Sequence, residues 1–142
     1  MKQTYYNIPL ELNQVINMED CKMVSLAESV ANMLHLITIS TFGECKHDVR
    51  FGCAIWEQDF DTITNMQGFK ERIKSSIEES LSIYEVRLSH IIIDINIQQF
   101  QSVINKRRLK NRINLLIKGK LTETNEDFSW KENFFIGPLS YY

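Results

Sequence analysis

Apolar residues change their spacing once along this chain, and that change limits the folds open to it. From Ser25 to Leu81 they recur every three or four residues, and from Ile91 onward they alternate. The first spacing lines one face of a helix, the second one face of a strand. The first helix opens at Ser25-Leu-Ala-Glu28, a capping-box arrangement in which Ser25 accepts from the amide three residues on and Glu28 reaches back. Leu26, Val30, Leu34 and Ile37 form its stripe, and the β-branched run Thr38-Ile39-Ser40-Thr41 before Gly43 weakens and ends it. A second helix is expected from about Gly68, with Phe69, Ile73, Ile77 and Leu81 spaced by four. The stretch between them reads as loop, with a short helical turn near Asp59–Ile63.

In the last third, Ile91, Ile93, Ile95 and Ile97 predict one strand, and Ile113, Leu115 and Ile117 a second. Phe128, Trp130, Phe134 and Ile136 predict a third. The polar run Thr122–Asp127 joins the last two as a hairpin, and Gln99–Lys106 suits a connection between the first two. Two helices followed by three sequential strands give an α+β fold, the helices covering one face of a small antiparallel sheet. Residues 1–22 show no clear period and read as an N-terminal arm on a single domain, 23–142. The 142 residues suit one domain, and 24% charged residues with five Gly and two Pro exclude disordered and collagen-like classes.

Nothing in the chain points to chemistry. The opening residues lack the apolar stretch of about 7–15 residues that a secretory signal needs. No apolar run approaches the ~20 residues of a membrane helix. Cys21, Cys45 and Cys53 are odd in number, and reduced thiols in a cytoplasmic protein are expected. Cys45-Lys-His47 followed by Cys53 matches no zinc spacing, so neither metal nor other cofactor is expected. There is no nucleophile elbow and no phosphate-cradling glycine loop. A peptidoglycan hydrolase would need a carboxylate pair. Glu44, Asp48, Glu57, Asp59 and Asp61 supply acids, but no spacing fixes a pair. A non-enzyme is the expectation, with no small-molecule substrate.

Three segments together resemble a known family. Thr41-Phe-Gly-Glu-Cys-Lys46, with Phe51-Gly52 after it, follows the first helix. Ile83-Tyr-Glu-Val-Arg-Leu88 joins the second helix to the first strand, and Phe134-Phe-Ile-Gly-Pro-Leu-Ser-Tyr-Tyr142 closes the chain. Over roughly residues 24–138 this resembles the sheath-initiator family of contractile injection machines, which includes the phage-tail baseplate wedge protein and the type VI secretion subunit TssE. The family's Glu-Pro-Arg signature reads Glu85-Val86-Arg87 here, and its Gly-Glu-Arg motif reads Gly43-Glu44-Cys45-Lys46. These departures suggest a divergent branch of type VI systems.

The resemblance implies a structural subunit of a cytoplasmic baseplate. It would link the wedge to the sheath and nucleate sheath polymerisation by offering a strand template. It places Glu85 and Arg87 at the contact with the wedge core, and makes Gly43, Glu44, Phe51 and Gly52 motif positions. Read from the residues alone, Glu85 and Arg87 could equally form a local ion pair at a helix end. Between Lys106 and Lys120 stand seven cations and no acid. Lys106, Arg107, Arg108, Lys110 and Arg112 suit a sheath strand or another acidic surface, or else guard an edge strand. Tyr141 and Tyr142 could anchor an interface or pack back on the domain. The alternative is an RNA-binding module using 106–120. The net charge of −2 and the lack of an aromatic stacking pair on a basic face argue against nucleic acid.

Overall fold

Ser25 opens the longer of the two N-terminal helices as the sequence predicts: its hydroxyl accepts from the Glu28 amide at 3.4 Å. The structure is a computed structural model that describes residues 5–56, 66–102 and 105–136, with backbone alone for Met66, 99–102, 105–111 and Ile136. The turn expected near Asp59–Ile63, and Tyr141 and Tyr142, lie outside the described residues. In chain order the elements are β1 (Tyr5–Tyr6), α1 (Leu12–Ile16), β2 (Met23–Val24), α2 (Leu26–Ile39), α3 (Met66–Tyr84), β3 (Leu88–Ser102), β4 (Asn105–Leu121) and β5 (Asp127–Ile136).

The α+β expectation holds. β3, β4 and β5 form an antiparallel sheet in that order, and β1 pairs with β2 as a separate two-stranded sheet. Val30, Leu34 and Ile37 of α2 are buried, as are Phe69, Ile73, Ile77 and Leu81 of α3. They pack in one cluster with Ile93, Ile113, Leu115, Ile117, Phe128 and Phe134, with Trp130 half-buried against it. The opposite strand parity, Asp94, Asn96 and Gln98 among it, faces away from the helices. Each strand thus has one face in the core, as alternation requires.

The sheet differs from expectation in one respect. β3 runs on to Ser102 and β4 begins at Asn105, within the Gln99–Lys106 stretch where composition predicts a connection, with Phe100 opposite Lys110 and Gln101 opposite Leu109. The last described pair between β4 and β5 is Asn111–Ile136. Backbone bonds form regardless of side-chain type, so the added pairing leaves no mark in the apolar pattern.

The loop after α2 is fastened at both ends. The Thr38 carbonyl, an orphan of the last helical turn, accepts from Trp56 Nε1 at 2.8 Å and from Cys53 Sγ at 3.4 Å. The Cys53 amide donates to Ser40 O at 3.0 Å, and the Ala54 amide to Ser76 Oγ of α3 at 3.1 Å. This close approach sets the residue at 52. Gly52 has φ +125°, and a Cβ there would lie 2.6 Å from Ser40 O. Gly119 has a similar role in the sheet: a Cβ would lie 2.8 Å from Ser89 O, where β3 bulges between Ser89 and Ile92. Gly52→Ala should therefore cost ~1–3 kcal/mol from backbone strain alone, with the clash in addition. Urea denaturation would measure the loss, and an unchanged midpoint would contradict the tight approach.

Candidate assembly site

The chain turns from α3 into β3 over three residues, and their side chains build the most connected polar site among the described residues. Glu85 prolongs the helix by one bond, its amide donating to Leu81 O at 3.0 Å. Its side chain is 1% exposed. Arg87 folds back over it as a fork, Nε donating to Oε1 and Nη2 to Oε2, both at 2.8 Å. The Arg87 amide also donates to Oε1, at 3.2 Å. Two residues apart, the pair closes the turn by itself; the planar guanidinium suits a carboxylate in a way an ammonium would not.

Arg87 reaches three further segments. Nη1 donates to Ser29 Oγ in the first turn of α2 at 2.8 Å. The guanidinium carbon lies 5.0 Å over the Tyr5 ring of β1. The Arg87 carbonyl accepts from the Thr122 amide at 2.9 Å and its hydroxyl at 3.1 Å, in the turn between β4 and β5. Tyr5 in turn donates to Glu123 Oε2 of that turn at 3.3 Å. The Glu85 carboxylate hydrogen-bonded to Arg87 raises its pKa further above the ordinary guanidinium value although burial acts the other way, so it stays a cation at every working pH. Sequence reasoning found the pair but not Ser29, Tyr5 or Thr122, which lie far away along the chain with no local signal.

The local ion pair is therefore formed. The carboxylate has no surface for another chain, whereas Arg87 keeps 23% of its side chain exposed. Beside it Val86 is 74% exposed and Ile83 40%. The departure from the family signature falls at Val86, the outward-facing residue, and disturbs neither charge.

The other motif positions hold the loop against the helices. The Gly43 amide donates to Val49 O at 2.9 Å, and Glu44 Oε2 accepts from the Thr41 amide at 2.9 Å. Phe51 meets Tyr84 edge to face, centroids 5.0 Å apart. The Tyr84 hydroxyl donates to Asp48, whose other oxygen accepts from the Arg50 amide at 3.1 Å. The Tyr84 hydroxyl bond holds the Asp48 carboxyl below its ordinary 3.8, and Asp48 raises Tyr84 above 10.0. Glu44 and Asp48 thus serve loop closure, and Glu57, Asp59 and Asp61 lie outside the described residues. Among the described residues no group of three His, Cys, Asp or Glu is placed to hold a metal, and no helix is long and apolar enough to cross a membrane.

The basic segment occupies β4, the middle strand. Over 111–120 β4 is paired on both sides, so Arg112, Lys118 and Lys120 do not guard an edge. The side chains of Lys106, Arg107, Arg108 and Lys110 lie outside the described residues. Arg112 is half-buried, 5.9 Å from the Phe135 ring. β3 and β5 form the two borders of the sheet, and among the described residues each pairs with β4 alone.

The described residues thus form a small three-stranded sheet backed by two helices, its border strands each paired with β4 alone. The family model of baseplate wedge protein gp25 matches residues 24–126, well over half of the chain, and the chain belongs to that family. It is a structural baseplate protein, which assembles with other baseplate proteins. The fold is shared with a crystal structure from Geobacter sulfurreducens, of a protein provisionally named a tail lysozyme. The two are 20% identical with a TM-score of 0.58, over 85% of this chain and 100% of that one. No curated protein matches.

Two outcomes follow from the site. Arg87→Ala leaves a buried carboxylate unpaired and should cost about 3–5 kcal/mol, with Arg87→Lys recovering only part because the fork is lost. Urea denaturation of both variants measures this, and equal stability of the Ala variant and the parent would refute the site as described. A group held below its ordinary pKa stabilises the fold above that pKa and loses the contribution as pH falls through the depressed value. Tyr84→Phe should therefore be less stable than the parent at neutral pH, with the gap closing in acid. A gap that stays constant with pH would separate Tyr84 from Asp48.

Proposed function

We propose that this chain links the baseplate wedge to a contractile sheath and nucleates sheath polymerisation, in a divergent type VI secretion branch resembling TssE. The observation that carries the proposal is the open border of the three-stranded sheet. An unpaired border is a row of backbone donors and acceptors, and an incoming sheath strand satisfies them all at once. Helix packing on the inner face holds the border rigid beforehand, which lowers the ordering cost of the first addition.

On this reading the wedge contact lies at the α3–β3 turn. Arg87 and Val86 meet the wedge core, and Glu85 holds Arg87 in place. The basic residues Lys106, Arg107, Arg108, Lys110 and Arg112 serve the sheath side or another acidic surface. Residues 1–22 are an arm attached to the domain 23–142. The protein works in the cytoplasm without catalysis, in keeping with the use of Glu44 and Asp48 in loop closure.

Co-purification with the wedge and sheath proteins of the same gene cluster tests this. Both should be recovered, and sheath recovery should fall sharply in either Ser129→Pro, on the β5 border, or Ile92→Pro, on the β3 border. Whichever folded variant loses the sheath identifies the donated border. Sheath recovery that survives both substitutions in folded protein would defeat strand addition as the mechanism.

A further inference from the structure

The sheet face turned away from the helices carries a row of amides that neither the core nor the open borders use. Asn96, Asn114 and Asn133 stand directly opposite one another, one on each strand, so the row runs from border to border. Gln98 and Arg112 flank it on one side, and Asp94, Leu116 and Lys131 on the other. These side chains line a groove of about 510 Å³. Two of the residues that line it, two apart on β4, each hold a buried side-chain atom without a partner: Arg112 Nε, a donor, and Asn114 Oδ1, an acceptor. Buried polar atoms are almost always satisfied, so a donor and an acceptor left open on one strand face call for a segment that offers both.

We propose that this face is a docking surface for an extended acidic polypeptide segment, bound through side chains across the strands and not along a border. A peptide group presents one N–H and one C=O, the complement of what Asn114 and Arg112 lack, and an Asn amide can bond both. The charge on the face selects the side chains. Arg112, Lys118 and Lys131 oppose Asp94 alone among the charged residues at this parity in 92–98, 112–118 and 129–135. A carboxylate on the bound segment gives Arg112 a charge-assisted partner. A phosphodiester supplies no donor for Asn114 Oδ1, so a peptide fits better than nucleic acid. The proposal rests on assigning the basic segment to an acidic partner, and adds where on the sheet that partner lies and what holds it.

The test titrates the full chain with a fluorescein-labelled peptide alternating Glu and Ser, followed by anisotropy. Saturable binding is expected, weakened about tenfold by Arg112→Gln and by Asn114→Asp, each checked for an unchanged circular dichroism spectrum. A Lys–Ser peptide should not bind. Binding that ignores both groove variants but falls in Lys106→Gln/Arg108→Gln would overturn the groove while leaving the basic-segment assignment standing. No saturable binding of the acidic peptide, or a single-stranded RNA that binds more tightly and displaces it, would overturn both.

Discussion

The forked pair between Glu85 and Arg87 is the constraint on which the rest of the structure depends, because it is where the chain's separate parts meet. Arg87 touches the carboxylate at the end of α3, the first turn of α2, the ring of Tyr5 and the turn between β4 and β5. A buried ion pair is a poor source of net stability, since desolvating two charges offsets most of their attraction. Its value lies in geometry. Five donors in a fixed plane can meet several segments at once only if all are correctly placed, so one residue sets the sheet's position relative to both helices. An apolar side chain of equal volume could fill the space, but it would leave Ser29, the carboxylate and the arm without a common reference.

The loop between α2 and α3 shows the same economy. Its motif residues contact the loop itself and the helices beside it. Glu44 closes a turn, Gly52 lets two backbones touch, and Phe51 packs on Tyr84, one residue before the buried carboxylate. Through Tyr84 the loop braces the end of the helix that carries the ion pair. Residues that identify a family by their pattern can thus be those that hold its scaffold, while the surfaces that meet partners vary around them. The exposed Val86 in the middle of the signature is an instance.

Legibility in the sequence followed burial. Ser25, the four-residue spacing of α3 and the parity of Ile93, Ile113, Leu115, Ile117 and Phe134 could be read because each apolar residue at those positions faces a core. The extension of β3 to Ser102 and of β4 back to Asn105 could not, for backbone pairing depends little on residue type. Glu85 and Arg87 stood out as charges at a helix end and as the two charged positions of the family signature. Their partners Tyr5, Ser29 and Thr122 come from segments 35 or more residues distant, joined by tertiary contact alone. The Asn row lay in the sequence as three unremarkable residues, and became a feature once register put Asn96, Asn114 and Asn133 side by side.

A protein that keeps a sheet border open must also avoid capping it with copies of itself, and the two borders carry the means. Asp94 on β3 and Lys131 with Glu132 on β5 put charge along each exposed row, which disfavours undirected pairing. Burial of the inner face fixes strand parity, since a slip of one residue would turn Ile93 or Phe134 to solvent. On the outer face the same register sets Asn96, Asn114 and Asn133 opposite one another. A strand added to such a border meets a template whose two faces already agree on its alignment. For a subunit whose proposed task is to start a regular polymer, that agreement matters more than affinity, because an error of register in the first strand would be copied into every strand that follows.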